Sequence, residues 1–423
     1  MFLLRLVTPN FVRFVALSCS LLLGSLPNAQ SAEPLLQQAD LTYAGGFKLP
    51  RGQIGGSNFT NGGLVMAYNP ANDSLFIVGH GDWGGEQFVA ELKIPALSTS
   101  TNLADIATAT VLQPFVDVTD GHIKDALSTS CPAPNIVGGL LVVDGALHVN
   151  VYCAYDTAVP SQTLFHGKSG LNLSNSTDFS GYFSMSGGPQ GERAGYKSGW
   201  MALIPQSWRA TLGGNILTGN CCLSITSRTS VGPSGFAFNS ADVGATNPIP
   251  SRTLFYYTLT NPLRDNRSQN LLYNASTRIR GMVFPSGFRS ILYFGAHGTG
   301  PVCYGATPVP CNDPADSNKG YHAFPYRSQV WLYDAVELVN AKNGLTQPWA
   351  VQPYATFPLD FPNATGTAKI TGAAYDPAGQ RIFVAQLGAD NNQSVIRVLK
   401  VGAPGEPTPP PAAPAAPSNL IIR

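Results

Sequence analysis

Internal repetition constrains this chain more than any other feature. Five segments each carry an apolar run after a glycine and a second apolar run that ends in a polar loop. They open at Gly63 (GLVMAYNPANDSLFIVGHG), Gly139 (GLLVVDGALHVNVYCAYD), Gly199 (GWMALIPQSW, then CCLSITSRTS), Gly281 (GMVFPSGFRSILYFGAHG) and Gly372 (GAAYDPAGQRIFVAQLGAD). A unit this short cannot bury its own apolar face, so it must stack on its neighbours. Repetition therefore sets the architecture and brings distant residues to one face.

Tight turns separate the two runs: Asn69-Pro70-Ala71-Asn72-Asp73, Asp144-Gly145, Pro285-Ser286-Gly287 and Asp376-Pro377-Ala378-Gly379. Proline presets φ, while glycine and asparagine tolerate φ > 0. A third run follows each pair (QFVAELKI, QTLFHG, GFAFN, QVWLYDAV, SVIRVLKV), and a fourth follows in all but the last (VLQPFVDV, FSGYFSM, TLFYYTL, PYATFPL). Four sheet-forming runs per unit predict an all-β fold, a β-propeller of five blades. Leu41–Lys48 has the character of the missing outer strand, so the two ends of the chain would pair and close the ring. Charged residues are 12% of the chain, about half of the usual ~25%, while 44 Gly and 34 Pro suit many strands joined by tight turns. Repeat spacings of 76, 60, 82 and 91 residues exceed those of compact repeats, and long loops at 240–280 and 299–327 account for the excess. Merged blades would raise the count to six or seven. The third repeat is the least regular, since QSWRATLGG reads as a helical turn between its strands.

Residues 1–32 read as an export signal: Arg5 and Arg13 precede the apolar Phe14–Leu26, and Ala29-Gln30-Ser31-Ala32 offers a small-residue cleavage site. Without them the chain holds 23 Lys+Arg against 24 Asp+Glu, so neither nucleic acid nor anionic membrane is an expected partner. The propeller would span 33–401, followed by a Pro/Ala-rich linker at 402–417. The last residues, 418–423, complete PSNLIIR, which resembles the opening strand of a fibronectin type III module, so further domains are an expectation. Six cysteines remain after the leader, an even number that favours disulfides in an exported chain. Proximity pairs Cys131 with Cys153, Cys303 with Cys311, and the vicinal Cys221 with Cys222. A zinc site is the competing reading, but no Cys-x-x-Cys or Cys/His cluster supports it.

In an up-and-down blade, the loop after the second strand and the loop entering the first lie on the same face. Those loops carry His80, Asp82, Trp83, Tyr155, Asp156, Arg228, His297 and Asp390, together with Lys197, Arg280 and Lys369. Convergent polar groups in an apolar frame make the central mouth the expected site. His80 and His297 share a Gly-flanked position in their repeats, and imidazole serves as base, acid or metal ligand. The plainer alternative is that both cap strand ends, while mid-strand His148 reads as a core residue. Arg228, Lys197, Arg280 and Lys369 suit a carboxylate or sulfate, unless they pair with Asp82, Asp156 and Asp390. Trp83, Tyr155, Tyr304, Tyr321 and Tyr326 fall in loops, where flat rings stack on sugar faces. No nucleophile elbow, phosphate loop or zinc-helix motif is present, although Gly388–Asn392 is a loop that calcium would fit.

Five-bladed propellers include glycosidases with carboxylates at the top of the inner strands. Here those strands begin GGLVM, GGLLV, SGWMA, RGMVF and TGAAY, without Asp or Glu. The chain resembles propeller polysaccharide lyases in architecture and residue types. That resemblance implies Arg280 or Arg228 on the uronate, His80 or His297 as base, and Tyr155 or Tyr304 beside the leaving oxygen. The expected function is binding or processing of an extracellular glycan, an anionic polysaccharide among the candidates, in a secreted or periplasmic protein. The alternatives are a non-catalytic module that binds glycan or protein, and a metal-dependent enzyme using His80 and His297 with Asp82 or Asp390.

Overall fold

The computed structural model describes residues 33–80, 87–126, 131, 135–157, 159–175, 177–364 and 369–404. The leader, residues 405–423, and both Asp82 and Trp83 lie outside the described residues. Five four-stranded antiparallel sheets form among them. Blade 1 comprises Met66–Asn69, Ser74–Val78, Val89–Lys93 and Thr110–Val116. Blade 2 comprises Asn135–Val143, Ala146–Cys153, His166–Ser169 and Ser180–Phe183. Blade 3 is built of Met201–Leu203, Ile216–Thr218, Gly235–Phe238 and Ser251–Phe255. Blade 4 is built of Arg278–Val283, Ser290–Gly298, Tyr326–Asp334 and Ala355–Pro358. Blade 5 takes Lys369–Asp376, Arg381–Asp390 and Gln393–Val401, with Leu41–Lys48 as its outer strand.

The innermost strands pack side by side in blade order, and that of blade 5 touches those of both blades 4 and 1. The ring is therefore closed. The repeated glycines make this possible, because the strands meet backbone to backbone. A side chain at Gly139 would strike the Gly199 carbonyl, and one at Gly372 would strike that of Leu64. Just before those glycines the inner strands bulge, leaving Gly138, Arg280 and Thr371 outside the register in blades 2, 4 and 5. The seam of blade 5 runs from Leu41 opposite Val401 to Lys48 opposite Val395, with Phe47 fully buried beneath it.

The strand assignment differs from the sequence reading chiefly in blades 3 and 4, and Tyr304, Tyr321 and Tyr326, expected in loops, lie on strands. The second strand of blade 3 is Ile216–Thr218, ahead of CCLSITSRTS, which forms a loop with a single 3-10 turn. Three residues give too little apolar signal to be seen beside the longer run that follows. The helix expected from QSWRATLGG is present as α1, Gln206–Leu212. In blade 4 the run QVWLYDAV stops at Asp334, whose carboxylate accepts from the Val336 amide and caps a second helix, α2, Ala335–Lys342. The two helices pack together on the face away from the mouth, where Trp208, Leu212 and Leu338 join the core. On that side Met66, Met201, Met282 and Phe284 fill the axis, leaving only about 60 Å³. No helix of the described residues is long and apolar enough to cross a membrane.

Candidate functional site

On the mouth face a cleft of about 530 Å³ lies over blades 3 and 4. Three pieces of chain build it. The first is the loop after the second strand of blade 3. Asn220 gathers it, donating to Thr229 Oγ1 at 3.2 Å and to the Ser230 and Gly232 carbonyls at 3.4 Å. At its root the Cys221–Cys222 disulfide closes on a turn in which the Leu223 amide donates to the Cys221 carbonyl at 2.7 Å. Cys222 has φ +53°, a left-handed conformation that a non-glycine residue adopts at a cost. The turn sends the chain toward blade 2, where the Ser224 amide reaches the Ala154 carbonyl beside Tyr155.

The second piece is a hairpin inserted in blade 4, Cys303–Gly305 with Gly320–His322. It places Tyr304 opposite Tyr321, with ring centres 4.9 Å apart. The Cys303–Cys311 disulfide and a buried carboxylate fix it. Asp313 accepts from Tyr326 at 2.6 Å and sits 2.8 Å from His322 Nδ1. Burial raises the Asp313 pKa, but these hydrogen bonds overcome it and hold the carboxyl below its ordinary value. His322 Nε2 faces the Asn318 and Gly305 carbonyls at 2.9 and 3.1 Å. The third piece is the stretch leading into the inner strand of blade 4, which contributes Asn266, Tyr273, Thr277 and Arg278.

The resulting walls carry exposed tyrosines, hydroxyl and amide groups, and the cations Arg278 and Lys319. Tyr155 is 43% exposed and Tyr304 56%. No Asp or Glu is among the described lining residues. A cleft of this kind offers flat apolar faces, neutral hydrogen-bonding groups and positive charge.

Of the residues singled out from sequence, Tyr155, Tyr304 and Tyr321 stand in this cleft. The two histidines do not. His80 is half-buried, with Nδ1 2.5 Å from the Thr60 carbonyl. His297 is fully buried: Nε2 donates to the Asn270 carbonyl at 2.7 Å, and Nδ1 meets the Thr277 hydroxyl at 2.9 Å. Burial pushes the His297 pKa down to about 4, so the imidazole is neutral, with its proton on Nε2. His297 is a packing residue of blade 4, which corrects its expected place at the mouth. His148 is in the core as anticipated, with Nδ1 3.1 Å from His166 Nε2. His166 in turn meets Asn150 at 2.7 Å.

The four cations separate. Lys197 points into the protein, where its ammonium donates to the Met185, Gly187 and Gly191 carbonyls, each at 2.7 Å. Burial lowers its pKa to about 7, yet three carbonyl acceptors require all three N–H groups. It cannot also hold a ligand. Arg228 lies 4.0 Å from Asp156, the pairing set against ligand binding from the sequence. Asp390 is taken by Arg51 at 2.7 Å. Arg280 is half-buried, and its charge opposes the rise that burial causes in the Tyr152 pKa, while Lys369 lies over the Tyr326 ring, 5.4 Å from its centre. All three disulfides are those read from the spacing. Among the described residues no group of three His, Cys, Asp or Glu side chains is placed to hold a metal.

Sequence reasoning missed Arg278, Lys319, Asn220 and Asn266. Arg278 had a signal, two residues before Arg280 on the same strand. The others come from long loops whose path no periodicity encodes.

No family model and no curated protein matches this chain. Solved structures do resemble it. Native Bacillus subtilis arabinanase gives a TM-score of 0.41 at 8% identity over 82% of this chain and 94% of that one. A Bacteroides ovatus glycosyl hydrolase gives 0.41 at 13% over 85% and 94%. Cellvibrio cellulosa α-L-arabinanase complexed with arabinohexaose gives 0.41 at 11% over 81% and 91%. The five blades rest on the strand pairing described above and do not depend on these likenesses.

Proposed function

We propose that this propeller is an exported protein that binds an extracellular glycan in the cleft over blades 3 and 4. One observation carries the reading: Tyr155, Tyr304 and Tyr321 line a polar cleft that lacks carboxylates among its described walls. Exposed rings are unfavourable in water unless a ligand covers them, and a sugar's C–H face is a fitting cover. Neighbouring side-chain amides and hydroxyls would meet the sugar hydroxyls. Three disulfides fit an oxidising compartment.

A second reading has one observation in its favour. Arg278 shares the cleft with Tyr155 and Tyr304. A guanidinium on a uronate and a phenol near its ring are the residue types that β-elimination uses. Carboxylate-pair hydrolysis has no such support, since its acid and base are missing from the described walls.

The test is affinity electrophoresis of the purified protein in gels containing neutral and acidic polysaccharides, with unsaturated-product absorbance and reducing ends followed in parallel. Retention without product is the expected result, weakened about two- to tenfold by Tyr304→Ala, the worth of one stacked ring. Absorbance that appears with acidic chains would select elimination. A protein retarded by no polysaccharide would sink the glycan reading.

A further inference from the structure

We propose that Arg278, Arg280 and Lys369 form an anion subsite at the axial end of the cleft, made for the carboxylate or sulfate of an acidic glycan; this rests on the glycan reading and names the class of glycan.

The placement follows from topology. Arg278 and Arg280 stand two residues apart at the mouth end of the innermost strand of blade 4, and Lys369 opens the innermost strand of blade 5 beside it. Arg280 is the residue left out of register when pairing steps from Ile279 to Gly281. A bulge re-aims its side chain. Burial raises the pKa of Tyr152 in blade 2, two blades around the ring, and the Arg280 charge opposes that rise, so the guanidinium is turned toward the axis. Arg278 lines the cleft, with one nitrogen on the Ala275 carbonyl at 2.8 Å.

The neighbours leave charge over. Lys369 makes one long contact, 3.4 Å to the Ala315 carbonyl, besides lying over Tyr326. Lys197, on the approach to the innermost strand of blade 3, is by contrast saturated by three carbonyls. Among the described residues no carboxylate lies within 4.0 Å of Arg278, Arg280 or Lys369. Two acids face the group from the inserted hairpin. Asp313 is committed to His322 and Tyr326, and Asp316 accepts from the Asn318 amide and side chain. Burial lowers the Lys369 pKa, Asp316 and Asp313 oppose that, and Arg278 and Arg280 add to it, as three cations close together must. An anion relieves that repulsion, and two guanidinium groups hold it with charge-assisted hydrogen bonds.

The experiment uses matched polymers at fixed ionic strength: polygalacturonate against its carboxyl-reduced form, and dextran sulfate against dextran, with dissociation constants measured for the full-length mature protein. The expected result is tighter binding of at least one acidic polymer over its neutral partner, and its loss by about tenfold or more in Arg278→Ala and Lys369→Ala. Binding of the neutral partner by Lys369→Ala should stay within about twofold. The carboxylate and sulfate pairs separate the two sources of charge. Arg278→Lys and Lys369→Arg keep the charge and should restore most of the preference, which a merely unfolded variant would not do. Equal binding of acidic and neutral polymers, with the alanine variants silent, overturns the subsite and leaves the glycan cleft standing. No binding of any of the four overturns both.

Discussion

His297 shows how much a single residue's context decides. Its sequence setting, Gly-Ala-His-Gly, matches that of a mouth residue, yet its ring is enclosed and hydrogen-bonded at both nitrogens. Because burial holds its pKa near 4, the unfolded chain binds a proton between pH 6.5 and 4 that the native state refuses. Stability from this source is therefore complete above pH 6.5 and drains as pH falls toward 4. His297→Gln, which keeps a donor for the Asn270 carbonyl, should flatten that decline by on the order of 3 kcal/mol. Urea unfolding at pH 7 and pH 4.5 would check it, and an unchanged pH dependence would contradict the assignment. His148 and His166, also pushed down by burial, act in the same window. Residue type was legible in the sequence here. Direction was not, because a strand's period of two says which face a side chain takes only once its neighbours are known.

At the scale of elements, the cleft depends on two covalently pinned loops. The Cys221–Cys222 ring stabilises a backbone turn at φ +53° that leads Ser224 to Ala154, next to Tyr155. Replacing both cysteines by alanine should let this turn relax while the blades persist. Glycan affinity is expected to fall several-fold with the melting temperature shifted by no more than a few degrees, and calorimetry with gel retention separates the two effects. Loss of both together would mean that the ring holds the fold itself. Cysteine spacing made the bridges readable, and proline and glycine made the turns readable, since these are local constraints. The path of the 299–327 loop was not readable: its hairpin exists because of Asp313, His322 and Tyr326, a contact set that no short window contains.

For the whole molecule, closure of the ring is the central event. Leu41–Lys48 pairs with Gln393–Val401 across nearly the full length of the chain. Phe47 is fully buried in that seam, packed among Leu49, Phe383 and Ile396. Phe47→Ala should cost about 3–5 kcal/mol, measured as a shift in denaturant midpoint with little change in slope. Were the seam dispensable, the loss would be nearer that of a surface site. Most of the architecture was visible beforehand because each blade repeats one pattern, so noise in one copy was corrected by the others. The exception was blade 3, whose strands of three and four residues carry the weakest pattern.

Sequence alone determined the repeat, its glycines, the closing strand and the disulfides, because all of these are local or recur in register. Tertiary structure decided which cations keep their charge available. Lys197 and Lys369 both stand on the approach to an innermost strand, yet one is enclosed by three carbonyls and the other is not. That difference arises from loops arriving from elsewhere in the chain, and electrostatics depends on distance in space rather than along the backbone.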